Sequence, residues 1–354
     1  MFSLYTTEKI VTAIYTDNED KYQIWYDFIS VLKPTIKILL DNNSDFYENE
    51  YNPAYLLVHT CDVEMSPLET ITPECIDDPH SILLIDAKSE DAKSISSKYG
   101  CCCYSFNDIP ANSFLFQESI EINVDKEDAK TNWGSLLFSE YVSPSNSLIF
   151  IDRYLFSDDS NGIKSEDGIN NVFDILNKIL PPSLDKEYHV LLVFDASTLP
   201  KPHINNNSTE NTRYTLFKRI STQINSLKKR LNRPYNIVIE TVSVDCNCGY
   251  YNETHNRRIL SNYFIIRAEH SLKAFRDSKS LYSQSLFLDW GASKGIVRSR
   301  KSDVPAKALN KCLKGIKDAI NQLKGARESP FFSQNGNSNI PIHEIKNRLL
   351  NFSK

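Results

Sequence analysis

From residue 145 onward, apolar runs of strand length alternate with amphipathic stretches of helical period, an order that few folds accommodate. Residues Ser147–Phe156 read as a strand, Asn170–Leu180 as a helix stopped by Pro181 and Pro182, and His189–Asp195 as a second strand. A basic amphipathic helix follows over Thr215–Leu231 and ends near Pro234, then a strand over Tyr235–Val244 and another through Glu253–Ile266. Leu286–Trp290 suits a further strand. Ala306–Lys324 repeats Leu309, Leu313, Ile316, Ile320 and Leu323 at helical spacing. Such alternation implies an α/β fold whose sheet, mainly parallel or mixed, carries helices on both faces.

The first part of the chain has the same grammar. Lys9–Tyr15 reads as a strand, Lys21–Leu40 as a helix with Ile24, Phe28, Val31 and Leu32 on one side, and Ala54–His59 as another strand. Ser81–Asp86 is an apolar run of buried-strand type, Ser89–Lys98 a short helix that Gly100 stops, and Cys101–Phe106 a strand. The polar stretches Ser157–Gly168, Pro200–Asn211 and Ser333–Asn339 read as loops, the last as a linker. The implied division is an α/β domain over 1–140, a second over 141–330, and a tail over 331–354 in which Ile342–Phe352 forms a short amphipathic helix.

Charge divides along the same line. The formal net charge of −5 hides 14 Lys/Arg against 35 Asp/Glu in residues 1–210 and 23 against 9 in residues 211–330. A basic half attracts polyanions through screened Coulomb forces and counterion release, or faces its own acidic half. No window holds 18 consecutive apolar residues, the N-terminus lacks a basic stretch followed by an apolar run, and eight cysteines sit in a chain too long to need disulfide staples. These features point to a cytoplasmic protein without a membrane span, whose acidic N-terminal domain offers a surface for a protein partner.

The stretch Glu253–Ile266 carries the most chemistry. In a strand, residues two apart share a face, so His255 and Arg257 project together, a pairing suited to phosphate. Asn262 completes the spacing H-x-R-x4-N. This resembles the H-x-K-x4-D signature of the phospholipase D superfamily, and in particular its His-Asp-Arg variant in the C-terminal domain of MIT-domain-containing proteins and related bacterial proteins. The resemblance covers residues 147–276 and includes the order of elements before the motif. It implies a cleft in which the histidine attacks phosphorus, the cation stabilises phosphoryl oxygens, and the acid tunes the site, with two motifs forming one active centre. No metal or other cofactor is required, because fixed cations neutralise the transition state.

Three departures shift the reading from cleavage toward binding. Arg257 stands for the lysine, Asn262 for the acid, and no second H-x-[KR]-x4-[DN] motif occurs. An amide does not support an imidazolium as a carboxylate does, whereas arginine remains a strong bidentate phosphate ligand. The expected function is therefore a degenerate phospholipase D-like module that binds the phosphodiesters of nucleic acid, compatible with a multiprotein, defence-type system. The alternatives are a metal-independent phosphodiesterase built as a homodimer around two copies of His255, and a catalytically inert interaction subunit. Ligand contacts are expected from His255 and Arg257, from Ser271 where the family closes its pocket, from Asp152 and Asp195 at strand ends, and from Lys228, Lys229 and Arg230 on the basic helix.

Other motifs are weaker. Asp86-Ala-Lys88 has the local form of half a restriction-type nuclease site, but lacks a well-placed upstream acid and reads as a strand end. Cys246, Cys248 and His255 supply at most three metal ligands at unsuitable spacing. Cys101–Cys103 reads as buried strand.

Overall fold

The computed structural model describes residues 3–16, 25–26, 35–40, 51, 63–67, 77–107, 120–124, 132–137, 144–157, 165–199, 209–244, 257–276, 279–280, 284–290, 304–325 and 345–351. The protein is α/β, with one wholly parallel sheet and one mixed sheet flanked by helices.

The first sheet is built from β1 (Ser3–Thr7), β2 (Thr35–Leu40), β3 (Val63–Pro67), β4 (Ser81–Ile85) and β5 (Cys102–Ser105) in the order β3-β2-β1-β4-β5. Every neighbouring pair is parallel. Helix α1 (Glu8–Thr16) follows β1, and α2 (Ser89–Tyr99) joins β4 to β5. Tyr5, Leu83 and Cys103 pack with Ala92 of α2. Leu4, Ile82 and Leu84 are buried on alternate positions, and Trp25 lies 6.2 Å from the Tyr104 ring.

Two expected elements differ here. Lys9–Tyr15 is helix rather than strand, because Ile10, Val11 and Ile14 recur at helical spacing and are buried, while Thr7 Oγ1 accepts from Ile10 N at the helix start. The helix expected over Lys21–Leu40 does not extend to Leu40: Thr35–Leu40 is β2, directly after Pro34, whose ring cannot supply a helical N–H. The strand expected over Ala54–His59 lies outside the described residues.

The second sheet is seven-stranded. Its strands are β6 (Ile120–Val124), β7 (Ser147–Ile151), β8 (Tyr188–Phe194), β9 (Ile237–Ser243), β10 (Arg258–Ser261), β11 (Phe264–Ala268) and β14 (Gln284–Trp290), in the order β6-β14-β11-β10-β7-β8-β9. A separate two-stranded ribbon pairs β12 (Phe275–Arg276) with β13 (Lys279–Ser280). Only β7, β8 and β9 run parallel; the other pairings are antiparallel. The single long motif strand is a hairpin, β10 turning at Asn262 and Tyr263 into β11.

Three helices cover one face: α3 (Trp133–Leu136), α4 (Ser165–Ile179) and α5 (Thr209–Leu231). Leu148, Phe150, Val190, Leu192, Phe194, Ile259 and Ile266 pack there against Val172, Ile175 and Leu176 of α4 and Ile224 and Leu227 of α5. Helix α6 (Val304–Gly325) meets β11 and β14 on the other face, where a Cβ on Gly315 would lie 3.2 Å from Ile265. The 3-10 turn Arg348–Asn351 also packs on this sheet, Asn347 Nδ2 donating to Leu148 O at 2.9 Å. The second domain therefore begins earlier than residue 141, since β6 pairs with β14 and Trp133 enters the same core. It also takes in residues 345–351.

The domains meet at the starts of their parallel strands. Gly100 caps α2 with φ +64, and a Cβ there would fall 2.5 Å from Ser145 O across the joint. Gly100→Ala combines a left-handed backbone with that overlap, and should lower stability by about 2–4 kcal/mol in urea unfolding.

Candidate functional site at the strand-end rim

Strands β7 and β8 end side by side, and each ends in a buried acid. Asp152 is fully buried: Oδ2 accepts from Ser271 Oγ at 2.7 Å and Leu272 N at 2.8 Å, and Oδ1 from Tyr154 N at 3.0 Å. Asp195 accepts from Arg153 Nε at 3.1 Å and from Ser197 N at 2.8 Å. Both carboxylates thus shape the rim from beneath its surface. Ser271 Oγ, buried beside Asp152, also receives Lys273 N at 3.0 Å.

The segment after β11 is fastened across this rim. Lys273, itself buried, donates from Nζ to Ser157 O at 2.7 Å, joining that segment to the chain after β7. Asn171 of α4 takes both polar groups of Phe275, donating to its O at 2.7 Å and accepting from its N at 3.0 Å. Arg276 pairs with Asp167 at 2.7 Å. Asn170, Asn171, Asp174 and Arg276 line a cleft of about 250 Å³ beside it. Burial raises the Asp174 carboxyl pKa, against the nearby Arg230 charge.

Arginines project from the same edge. Arg257 stands just before β10, its carbonyl accepting from Ala268 N at 3.0 Å and its Nη1 donating to Glu269 O at 2.8 Å. Arg258 and Arg267 are direct cross-strand partners, so their side chains leave the same face with Cβ atoms about 5 Å apart. Arg258 also registers with Ile151, one residue before Asp152. His255 lies outside the described residues, as do Cys246 and Cys248.

Sequence reasoning singled out Asp152, Asp195, Ser271 and Arg257, which the structure brings to one rim. It missed Arg258, Arg267 and Lys273. Alternation hides the first two when β10 and β11 are taken as one strand, because their shared face exists only once the hairpin is formed. Lys273 carries no local signal, since a buried lysine is specified by its distant acceptor.

Two expected groups belong elsewhere. Lys228, Lys229 and Arg230 form the last turn of α5, on the helical layer; Arg230 donates to Asn170 Oδ1 at 2.8 Å and stacks 4.0 Å from the Phe173 ring centre. Burial lowers the Lys228 pKa.

Asn262 sits at the far end of β10, five residues of chain from Arg257 or roughly 16 Å in extended form. It cannot take the acid's part beside Arg257. Its Oδ1 accepts from Asn146 N at 3.0 Å and Ser147 N at 3.1 Å, and its Nδ2 donates to Pro79 O at 2.6 Å and Asn146 Oδ1 at 3.1 Å. Its carbonyl accepts from His80 Nδ1. Next to it, Tyr263 donates its hydroxyl proton to Ser81 O and accepts from Cys102 N at 3.1 Å.

No protein-family model and no curated protein matches this chain. Among the described residues, no group of three or more His, Cys, Asp or Glu side chains is arranged to hold a metal ion, and no helix is long and apolar enough to cross a membrane.

Asn262→Asp restores the acid of the resembled motif yet removes both Nδ2 donors and buries a charge. It should destabilise the fold by about 3–5 kcal/mol in denaturant titration, the cost of an uncompensated buried charge. The joint also predicts a pH dependence. Burial holds the His80 imidazole at about 4, against the opposing hydrogen bond to Asn262 and the Asp78 charge. Between about 4 and the ordinary 6.5 the unfolded chain binds a proton that the folded chain does not, so stability rises with pH across that window. Roughly 3 kcal/mol should be lost as pH falls through it. A His80→Gln variant should flatten that slope in unfolding measurements at successive pH values.

Proposed function

We propose that the strand-end rim of the mixed sheet binds a phosphodiester, and that nucleic acid is the ligand class. The observation that carries this reading is the Arg258–Arg267 cross-strand pair, with Arg257 adjoining it. Two guanidinium groups held side by side on neighbouring strands present a double cation to an anion that spans them. Guanidinium groups match phosphate oxygens bidentately. The H-x-R spacing of His255 and Arg257, and its resemblance to the phospholipase D superfamily, support the same ligand. A binding role suits the rim better than cleavage, since Asn262 is built into the domain joint and leaves Arg257 without the motif's acid.

The test is fluorescence anisotropy of a labelled single-stranded oligonucleotide over a salt series, with wild type and Arg258→Ala/Arg267→Ala. The double variant should bind more weakly, and its log K against log salt should flatten by about 0.7 for each phosphate that is no longer neutralised. Arg258→Lys/Arg267→Lys should recover part of the affinity, because charge returns without the bidentate fork. An unchanged slope in a folded double-alanine variant would sink the proposal. Cleavage by wild type in chelator, abolished in His255→Ala, would replace binding by catalysis.

A further inference from the structure

The parallel sheet of the first domain has a second strand-end site. Its order, β3-β2-β1-β4-β5, reverses between β1 and β4: the chain leaves β1 through α1 toward β2, and leaves β4 through α2 toward β5. Where neighbouring connections depart in opposite directions, their loops separate and open a crevice above the carboxyl ends of the strands.

Side chains from three connections meet there. Lys9, after β1, lies 2.6 Å from Asp86, after β4, and Asn107, after β5, donates to the other Asp86 oxygen at 2.6 Å. The Asp86 side chain is 37% exposed and that of Lys9 82%, so the cluster opens to solvent. Lys88, exposed, begins α2 without a side-chain cap. One residue below the end of β1, Thr6 is fully buried, and its Oγ1 has no hydrogen-bond partner among the described residues.

We infer that this crevice binds a nucleoside monophosphate, with Asp86 and Asn107 on the ribose hydroxyls and Lys9 and Lys88 on the phosphate. An ionised carboxylate accepts from two vicinal hydroxyls, and an amide both donates and accepts. The Lys9–Asp86 contact is a surface ion pair, weak enough for Lys9 to exchange its carboxylate for a ligand phosphate. Nothing here suits a dinucleotide. Residues 5–10 contain no glycine and β1 passes into α1 without a loop, so the backbone cannot approach a pyrophosphate. The site is separate from the arginine rim of the second domain and stands whether or not that rim binds nucleic acid.

Isothermal titration of the full chain with AMP, GMP, CMP and UMP, with ribose and inorganic phosphate as separate probes, tests it. At least one nucleotide should bind, more tightly than either fragment. Asp86→Ala should weaken it tenfold or more. Lys9→Ala/Lys88→Ala should weaken the nucleotide while sparing the corresponding nucleoside. Arg258→Ala/Arg267→Ala should change nothing. If Asp86→Ala fails to fold, Asp86→Asn removes the charge at nearly constant shape. No binding of any of the four at millimolar concentration, or binding that a folded Asp86 variant leaves intact, would overturn the assignment.

Discussion

One buried amide holds the two sheets in register. Asn262 satisfies the backbone at Asn146, Ser147 and Pro79 at once, and its carbonyl accepts a hydrogen bond from His80 Nδ1. Tyr263 adds the ends of Ser81 and Cys102. Each of these backbone groups lies at or beside the start of a parallel strand, where the ladder leaves donors and acceptors exposed. Burying them against another domain would cost about 1–3 kcal/mol for each group left unmatched. The hairpin tip therefore supplies polar matching as well as contact. Lys98 with Asp185 and Arg348 with Asp77 lie around it at 3.1 and 3.6 Å.

The same hairpin sets the chemistry at its other end. Because β10 runs antiparallel to β7, its first residues arrive where β7 finishes, which places Arg257 and Arg258 beside the Asp152 turn. The return strand β11 brings Arg267 opposite Arg258 and delivers Ser271 to Asp152. A loop this well fastened holds its side chains without further ordering on binding, which lowers the entropy a ligand must overcome.

Much of this was legible in the sequence. The apolar runs at Ser81–Asp86, Ser147–Phe156 and His189–Asp195 each hold a buried strand, the second ending at Ile151 where the chain turns, because runs this short and this apolar suit a sheet interior. Pairing direction was not legible: residues 258–266 have the same apolar content as one long strand or as a hairpin, and the two-residue turn at Asn262 and Tyr263 has no glycine to announce it. Lys9–Tyr15 misled because β-branched residues suit strands while their spacing suited a helix, and burial followed the spacing. Asn262 matched a motif position by spacing alone. Its surroundings, supplied by residues more than a hundred positions away, gave it a structural task.

The joint also fixes how the two candidate sites relate. Residues 79–81 precede β4, residues 145–147 open β7, and Asp185 precedes β8 and binds Lys98 O through its backbone at 2.9 Å. Both sheets thus meet by the starting ends of their parallel strands. Their carboxyl ends, where loops gather functional side chains, must then face away from the joint on either side. The Asp86 crevice and the arginine rim are separated by the length of both sheets, so one small ligand cannot touch both. Among the described residues, the contacts that link the two sheets, and so could carry an influence from one site to the other, are those of this joint, the His80–Asn262 and Tyr263–Ser81 bonds at its centre.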